Sequence, residues 1–161
     1  MRTFEDIQRR IISVEEAGRI FTPSFRKRHR IVFTNGCFDL IHRGHVYYLS
    51  KAGEMGDVLV VGLNSDDSVR RLKGTGRPLN PQQARAEVLA SLAFVDYVIV
   101  FHEDTPLNLI LKVRPHVLVK GGDYSAGDVV GYREVISWNG RVEIVPLLEG
   151  YSTSSMIARL S

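Results

Sequence analysis

Cysteine is almost missing from this chain. Cys37 stands alone among 161 residues, so a disulfide framework is excluded. No apolar run approaches the roughly 20 residues that a membrane-spanning helix needs. The start, Met1 to Arg10, is charged where a secretory signal would be apolar. These absences predict a cytoplasmic protein with no membrane contact. Charge of one sign is scarce too. Lys and Arg number 21 against 18 Asp and Glu, a formal charge of +3, too small an excess to carry a nucleic-acid footprint alone. Much of it sits in Arg26-Lys27-Arg28-His29-Arg30, which reads as a solvated turn and has no interleaved aromatics on which bases could stack. We therefore expect no nucleic-acid partner. Repeats and low-complexity tracts are also missing.

What is present suits one compact domain: 44% of the residues are apolar, enough for a real core and too many for a disordered chain. The first 29 residues differ from the rest and read as an N-terminal helical appendage to a domain spanning residues 30–161. In that segment Ser13-Val14-Glu15-Glu16 has the form of a capping box opening a short helix, and Thr22-Pro23 is expected to break it. From Ile31 the pattern alternates. Short apolar runs at Ile31 to Thr34, Val58 to Leu63, Tyr97 to Phe101, Val117 to Val119 and Val142 to Val145 fit five buried strands. Between them lie helical stretches: 44–53, with Val46, Leu49 and Ala52 on one stripe, then 66–72, a segment opened by Asn80-Pro81 and running to Leu92, one opened by Thr105-Pro106, and 132–138. Ser152 caps a last helix. Strands alternating with helices imply a doubly wound α/β domain on a five-stranded parallel sheet. Ligands in such folds bind at the carboxyl ends of the strands, which selects the loops after Thr34, Leu63, Phe101, Val119 and Val145.

The loop after the first strand holds the strongest signal. Gly36-Cys37-Phe38-Asp39 leads into His42-Arg43-Gly44-His45. Imidazoles three residues apart at a helix start face the same way. Gly44 lets a ligand approach the backbone, and the free amides of a helix N-terminus favour phosphate. A zinc site is a rival reading, but no convincing third ligand is near. Two unrelated surface histidines are another. A dinucleotide fingerprint is absent, because no G-x-G-x-x-G follows the strand. Cys37 has no predictable base beside it and reads as a packing or backbone residue.

His42-x-Gly44-His45 after Gly36-x-Phe38-Asp39 resembles the signature of the cytidylyltransferase-like nucleotidyltransferase superfamily. Within it, Val32 to Asp39 is most similar to the D-glycero-β-D-manno-heptose 1-phosphate adenylyltransferases, of which this chain would be a stand-alone version. Four further segments extend the likeness: Leu72-Lys73-Gly74-Thr75-Gly76-Arg77-Pro78, the helix with Arg85, Lys120-Gly121-Gly122-Asp123-Tyr124, and Ser152-Thr153. The resemblance implies the Rossmann-like nucleotidyltransferase fold and transfer of AMP from ATP to a sugar 1-phosphate, with Mg²⁺ accompanying ATP. It implies catalytic roles for His42, His45 and Lys73. It implies nucleotide binding by Gly36, Cys37, Phe38, Gly44, Arg77, Arg85, Gly121, Asp123, Tyr124, Ser152 and Thr153, and acceptor binding by Asp39, Asn64 and Lys120. No protein ligand set for a metal is expected, and a homo-oligomer is implied by resemblance only. Bland readings stand beside these: an exposed basic turn for Lys73 to Arg77, an ion pair for Arg85, a tight turn for Gly121-Gly122, and capping alone for Ser152. Glycerol-phosphate cytidylyltransferases carry Arg-Thr just before Glu-Gly, where this chain has Leu147-Leu148. That departure favours the heptose branch over cytidylyl transfer to a polyol phosphate. A non-catalytic nucleotide-binding module and a class I tRNA synthetase fragment are the remaining rivals, the latter disfavoured by chain length.

Overall fold

The computed structural model describes residues 3–160. Its centre is a sheet of parallel strands: β1 (Ile11–Ile12), β2 (Ile31–Gly36), β3 (Val58–Asn64), β4 (Tyr97–Phe101), β5 (Val117–Gly121) and β6 (Arg141–Val145), in the spatial order β1-β4-β3-β2-β5-β6. The doubly wound α/β class is as expected; the strand count is six rather than five. The extra strand is the pair Ile11–Ile12, which runs beside Val98 and Ile99 at the sheet edge. Two residues are too short for the period-2 pattern to register, so only long-range pairing reveals them.

The strands alternate cleanly between two cores. Val32, Leu59, Val61, Val117 and Val119 point to one face, and Ile31, Phe33, Val60 and Leu118 to the other, as the pleat requires. On the first face, Leu49 and Ala52 of α4 (Arg43–Gly53) pack beside Ala86, Leu89 and Ala90 of α6 (Gln82–Ser91). On the second lie Ala17 of α2 (Val14–Ile20), Leu109, Ile110 and Val113 of α7 (Leu107–Val113) and Val135 of α8 (Tyr132–Ser137). Two-sided cover explains why the strands read as near-continuous apolar runs. The stripe expected on α4 is rotated. Val46 is 38% exposed, and Tyr48 takes a buried place beside Leu49 and Ala52.

The N-terminal segment, which opens with α1 (Phe4–Gln8), is woven into this body. Phe21 is 2% exposed and meets the Tyr97 ring edge-on at 5.5 Å, a burial that contributes about 1.5–3 kcal/mol. The Arg10 guanidinium donates to the carbonyls of Ala90 and Val95 at 3.3 and 2.8 Å. Thr22-Pro23 ends α2 and also starts α3 (Pro23–Arg28), because the Thr22 hydroxyl accepts from the Phe25 amide with Pro23 in the first turn. The cluster Arg26-Lys27-Arg28, expected as a turn, is the last turn of this helix, where cations meet the negative end of the dipole. At Asn80-Pro81 and Thr105-Pro106 the helices begin one residue later than expected, with proline itself at the N-cap.

β2 is the switch point. β3 and β4 lie to one side of it and β5 and β6 to the other, which opens a crevice beyond the carboxyl ends of β2 and β5. β2 pairs with β3 along six residues but with β5 only at Val32–Val117 and Phe33–Leu118. Past that point the two strands part. Tyr48 fills the opening: its buried hydroxyl pairs with Thr34 Oγ1 and donates to the Val119 carbonyl at 3.1 Å. Burial pushes the Tyr48 phenol up to about 12, so it stays a neutral donor.

Candidate active site

The crevice encloses about 570 Å³ and collects residues from every loop that the strand ends selected. Its floor is the turn after β2. Gly36 is required there by close approach, because a Cβ would stand 2.9 Å from the Phe38 ring. Phe38 takes a positive φ of 44°, which folds its ring back into the core and edge-on to the His45 ring at 5.3 Å.

His42 is the N-cap of α4 and makes no side-chain cap bond. The first amides of this helix therefore have no acceptor from the cap. The His42 and His45 rings stack, with centroids 3.9 Å apart and planes at 28°. Gly44 allows this, since a Cβ would lie 3.0 Å from the His42 ring and 3.1 Å from Tyr151 Cβ. The Nδ1 atoms of both rings are buried without a hydrogen-bond partner, a cost that native interiors rarely carry away from function. Burial, with His42 adding to it, pushes the His45 imidazole down to about 4, and burial also lowers His42. Both rings are thus neutral hydrogen-bonding groups at pH 7. His45 lines the crevice. His42 lies behind it, with Tyr151 stacked near-parallel at 6.3 Å and Arg43 over the Tyr151 ring at 5.6 Å.

Cations ring the opening. Lys73 ends α5 (Asp66–Lys73), and Arg77 follows on the glycine-bearing loop; both line the crevice with Lys120. Lys120 lies on β5 itself rather than in the loop after it. Burial depresses its ammonium, nearby Lys73 adds to this, and Cys37 opposes it. A bound polyanion would favour its charged form. Cys37 is half-buried in the same wall. Burial pushes its thiol up despite the pull of Lys73, Arg85 and Arg77, so it lacks the thiolate character of a nucleophile.

Two expected ligands turn out to be committed elsewhere. Asp39, expected at the acceptor, accepts from Arg77 Nε at 2.7 Å and from the amides of Leu79 and Asn80 at 2.9 Å. Burial opposes its ionisation, but the Asn80 and Leu79 amides and the Arg77 guanidinium outweigh it and hold the carboxyl below its ordinary range. It ties the cationic loop to the histidine loop. Arg85, expected at the triphosphate, is 1% exposed and faces three carbonyls and Asp66 instead of the crevice.

Of the other expected residues, the structure gathers Gly36, Cys37, Phe38, Asn64, Tyr124 and Thr153 on the crevice wall. The Asn64 amide donates to Ser68 Oγ at 3.0 Å. Gly44, Gly121, Asp123 and Ser152 lie outside it. A Cβ on Gly121 would meet Leu147 and Tyr48 at 3.0 and 3.1 Å, so that glycine serves packing. Ser152 accepts from the Ser155 amide at 3.0 Å and caps α9 (Thr153–Leu160). The sequence reading missed Asn35, Asp104, Thr105, Asp128 and Ser154, all on the crevice wall. The strand-end rule pointed to the loop after Phe101, but Asp104-Thr105 matches no motif, and Asp128 sits on a single 3₁₀ turn (Ala126–Asp128) that no periodicity marks. Among the described residues no group of three or more His, Cys, Asp or Glu is placed to hold a metal ion, and no helix is long and apolar enough to cross a membrane.

Comparison with known proteins shows the family. The cytidylyltransferase-like family model matches residues 33–159. The chain belongs to the cytidylyltransferase-like family of nucleotidyltransferases. Among similar curated proteins, this family member is 60% identical over 131 residues to the bifunctional protein HldE of Pelobacter propionicus, covering 81% of this chain and 27% of that one. It is 54% identical over 152 residues to the HldE of Acidiphilium cryptum, covering 94% and 31%. The chain thus spans under a third of the length of these relatives. Among solved structures, a lipopolysaccharide core biosynthesis protein from Thermoplasma volcanium superposes with a TM-score of 0.62 at 25% identity, over 77% of this chain and 99% of that one. Pantothenate synthetase from Thermus thermophilus reaches 0.62 at 16% identity, over 92% and 70%, and so shares the fold alone.

Proposed function

We propose that this domain transfers AMP from ATP to D-glycero-β-D-manno-heptose 1-phosphate, giving ADP-heptose and pyrophosphate. The observation that carries the reading is the stacked His42–His45 pair at the uncapped start of α4, whose His45 shares one crevice with Lys73, Arg77 and Lys120. The heptose acceptor is supported by the sequence likeness to the heptose branch and by the Thermoplasma protein of lipopolysaccharide core biosynthesis. Leu147, where glycerol-phosphate enzymes carry a cation, packs against Gly121 and brings no charge to the nucleotide.

In the proposed reaction a phosphate oxygen of the sugar 1-phosphate attacks the α-phosphorus of ATP in line. The bond from that phosphorus to the oxygen bridging the α- and β-phosphates breaks, and pyrophosphate leaves with the electron pair. The nucleophile is already anionic, so catalysis is positioning and charge neutralisation. His45, a neutral ring at the crevice wall, donates a hydrogen bond where charge develops on the leaving oxygen, with His42 supporting it from behind. Such donors strengthen as the transition state forms. Lys73 and Arg77 hold the β- and γ-phosphates, and Lys120 receives the acceptor phosphate. Mg²⁺ bound together with ATP would supply charge neutralisation at the phosphates, as a small hard ion suited to oxygen ligands. The Asp39 carboxylate on the crevice wall is already engaged with Arg77. Asp39 thereby orients the phosphate-binding loop rather than the acceptor.

A panel of sugar 1-phosphates and glycerol 3-phosphate with each of four nucleoside triphosphates, read by pyrophosphate release, tests the proposal. Turnover with ATP and the heptose 1-phosphate is expected. Preference for CTP with glycerol 3-phosphate would establish the polyol cytidylyltransferase reading instead. Tight nucleotide binding with no turnover on any acceptor would refute catalysis.

A further inference from the structure

Arg85 has the largest fully buried polar side chain of the described residues, and the proposed reaction gives it nothing to do. Its partners come from four separate places. Nε donates to the Asn80 carbonyl at 3.0 Å, Nη1 to the carbonyls of Cys37 and Asn64 at 2.6 and 2.9 Å, and Nη2 to the Asp66 carboxylate at 2.8 Å. One fork therefore joins the turn after β2, the end of β3, the start of α5 and the chain entering α6. A buried guanidinium is costly unless all its donors are matched, and here the backbone supplies most of the match.

The shortest of these bonds leads to the histidines. Cys37 immediately precedes Phe38, whose positive φ is a strained state for a bulky residue and persists only where its surroundings impose it. The Phe38 ring, so placed, walls the His45 imidazole. We propose that Arg85 is a positioning residue for His45: by holding the Cys37 carbonyl it fixes the Phe38 ring that encloses the imidazole. Lysine, with one point-like ammonium, cannot join four acceptors in the plane of a fork. Burial, to which the Phe38 ring contributes, pushes the His45 imidazole down, which makes its titration a reporter of the turn.

The role in turnover rests on the adenylyl-transfer reading, whereas the reporter does not. The test uses the full chain with Arg85→Lys, Asp66→Ala and the double variant, each checked for folding by circular dichroism. His45 is titrated by NMR of its ring carbons, and turnover is measured with ATP and the heptose 1-phosphate. In Arg85→Lys the His45 midpoint is expected to move up toward the ordinary imidazole value. There kcat falls on the order of 100-fold, the scale for misplacing a catalytic group by about 1 Å. KM for ATP stays within about threefold, since no phosphate contact is lost. Asp66 lies outside the crevice, yet its removal should shift His45 the same way, and the double variant should be no worse than Arg85→Lys alone. An unmoved His45 midpoint overturns the inference. So does a KM for ATP raised more than about tenfold with kcat retained, the mark of direct phosphate contact. Should Arg85→Lys fail to fold, the His45 midpoint in Asp66→Ala decides alone. If the unaltered chain turns over no acceptor, the proposed function fails while the titration still judges Arg85.

Discussion

Replacing Asp39 by Asn should release the cationic loop that carries Lys73 and Arg77 without unfolding the domain. The side chain keeps its shape and loses its charge. In the native protein both carboxylate oxygens accept: Oδ1 from the amides of Leu79 and Asn80, and Oδ2 from Leu79 and from Arg77 Nε. Asparagine has one acceptor oxygen, so its NH₂ group must face either the guanidinium or the amides. The charge-assisted bond to Arg77 contributes about 1.5–3 kcal/mol, and a buried donor facing a donor costs about 1–3 kcal/mol more. The chain can relieve most of this by local opening, because nothing lies within 4 Å of where side chains on Gly74 and Gly76 would stand. About 3 kcal/mol raises the population of the open loop on the order of 100-fold. Trypsin cleavage after Lys73, followed by intact mass under conditions where reclosing is fast, reads that population directly. Cleavage should accelerate by that order, and saturating ATP should slow it. Cleavage at the native rate, with only the acceptor KM altered, would show that Asp39 serves the acceptor and that the latch is misread.

His45→Ala should keep the fold and lower kcat at least about 100-fold, the scale for losing one charge-stabilising donor; near-normal pyrophosphate release would remove His45 from the mechanism. Gly44→Ala puts a methyl group against His42 and Tyr151, so kcat should fall several-fold or more, about the effect of a displaced donor, with thermal midpoint little changed. An unfolded His45 titrates near 6.5 and the folded ring at about 4, so the native state binds fewer protons between those values. Its contribution is complete above pH ~6.5 and is lost as pH falls toward 4. Urea midpoints should therefore drop from pH 7 to pH 5, and drop less in His45→Gln; parallel declines would contradict the burial. Tyr48→Phe leaves the Val119 carbonyl and the Thr34 hydroxyl without their shared partner. Chemical denaturation should register a loss of about 1–3 kcal/mol.

Features that depend on near neighbours along the chain were legible from residue order and spacing. Apolar runs marked the strands from β2 to β6, because β2 to β5 are covered on both faces and β6 keeps Val145 buried at the sheet edge. The caps at Ser13 and Ser152 marked helix starts through bonds three residues long. The histidine pair was legible because three residues along a helix bring two rings together, and the cationic loop because Lys73 and Arg77 flank flexible glycines. Tertiary structure decided everything that rests on a distant partner. Ile11–Ile12 became a strand only by lying against β4. Arg85 and Asp39 looked like ligands by residue type, yet their partners stand 48 and 38 residues away, at Cys37 and Arg77. Composition cannot say whether a charge meets substrate or the protein's own backbone. That choice follows from which loops the strand order brings to the β2–β5 switch point, the same packing that carries Asp104, Thr105 and Asp128 onto the crevice wall.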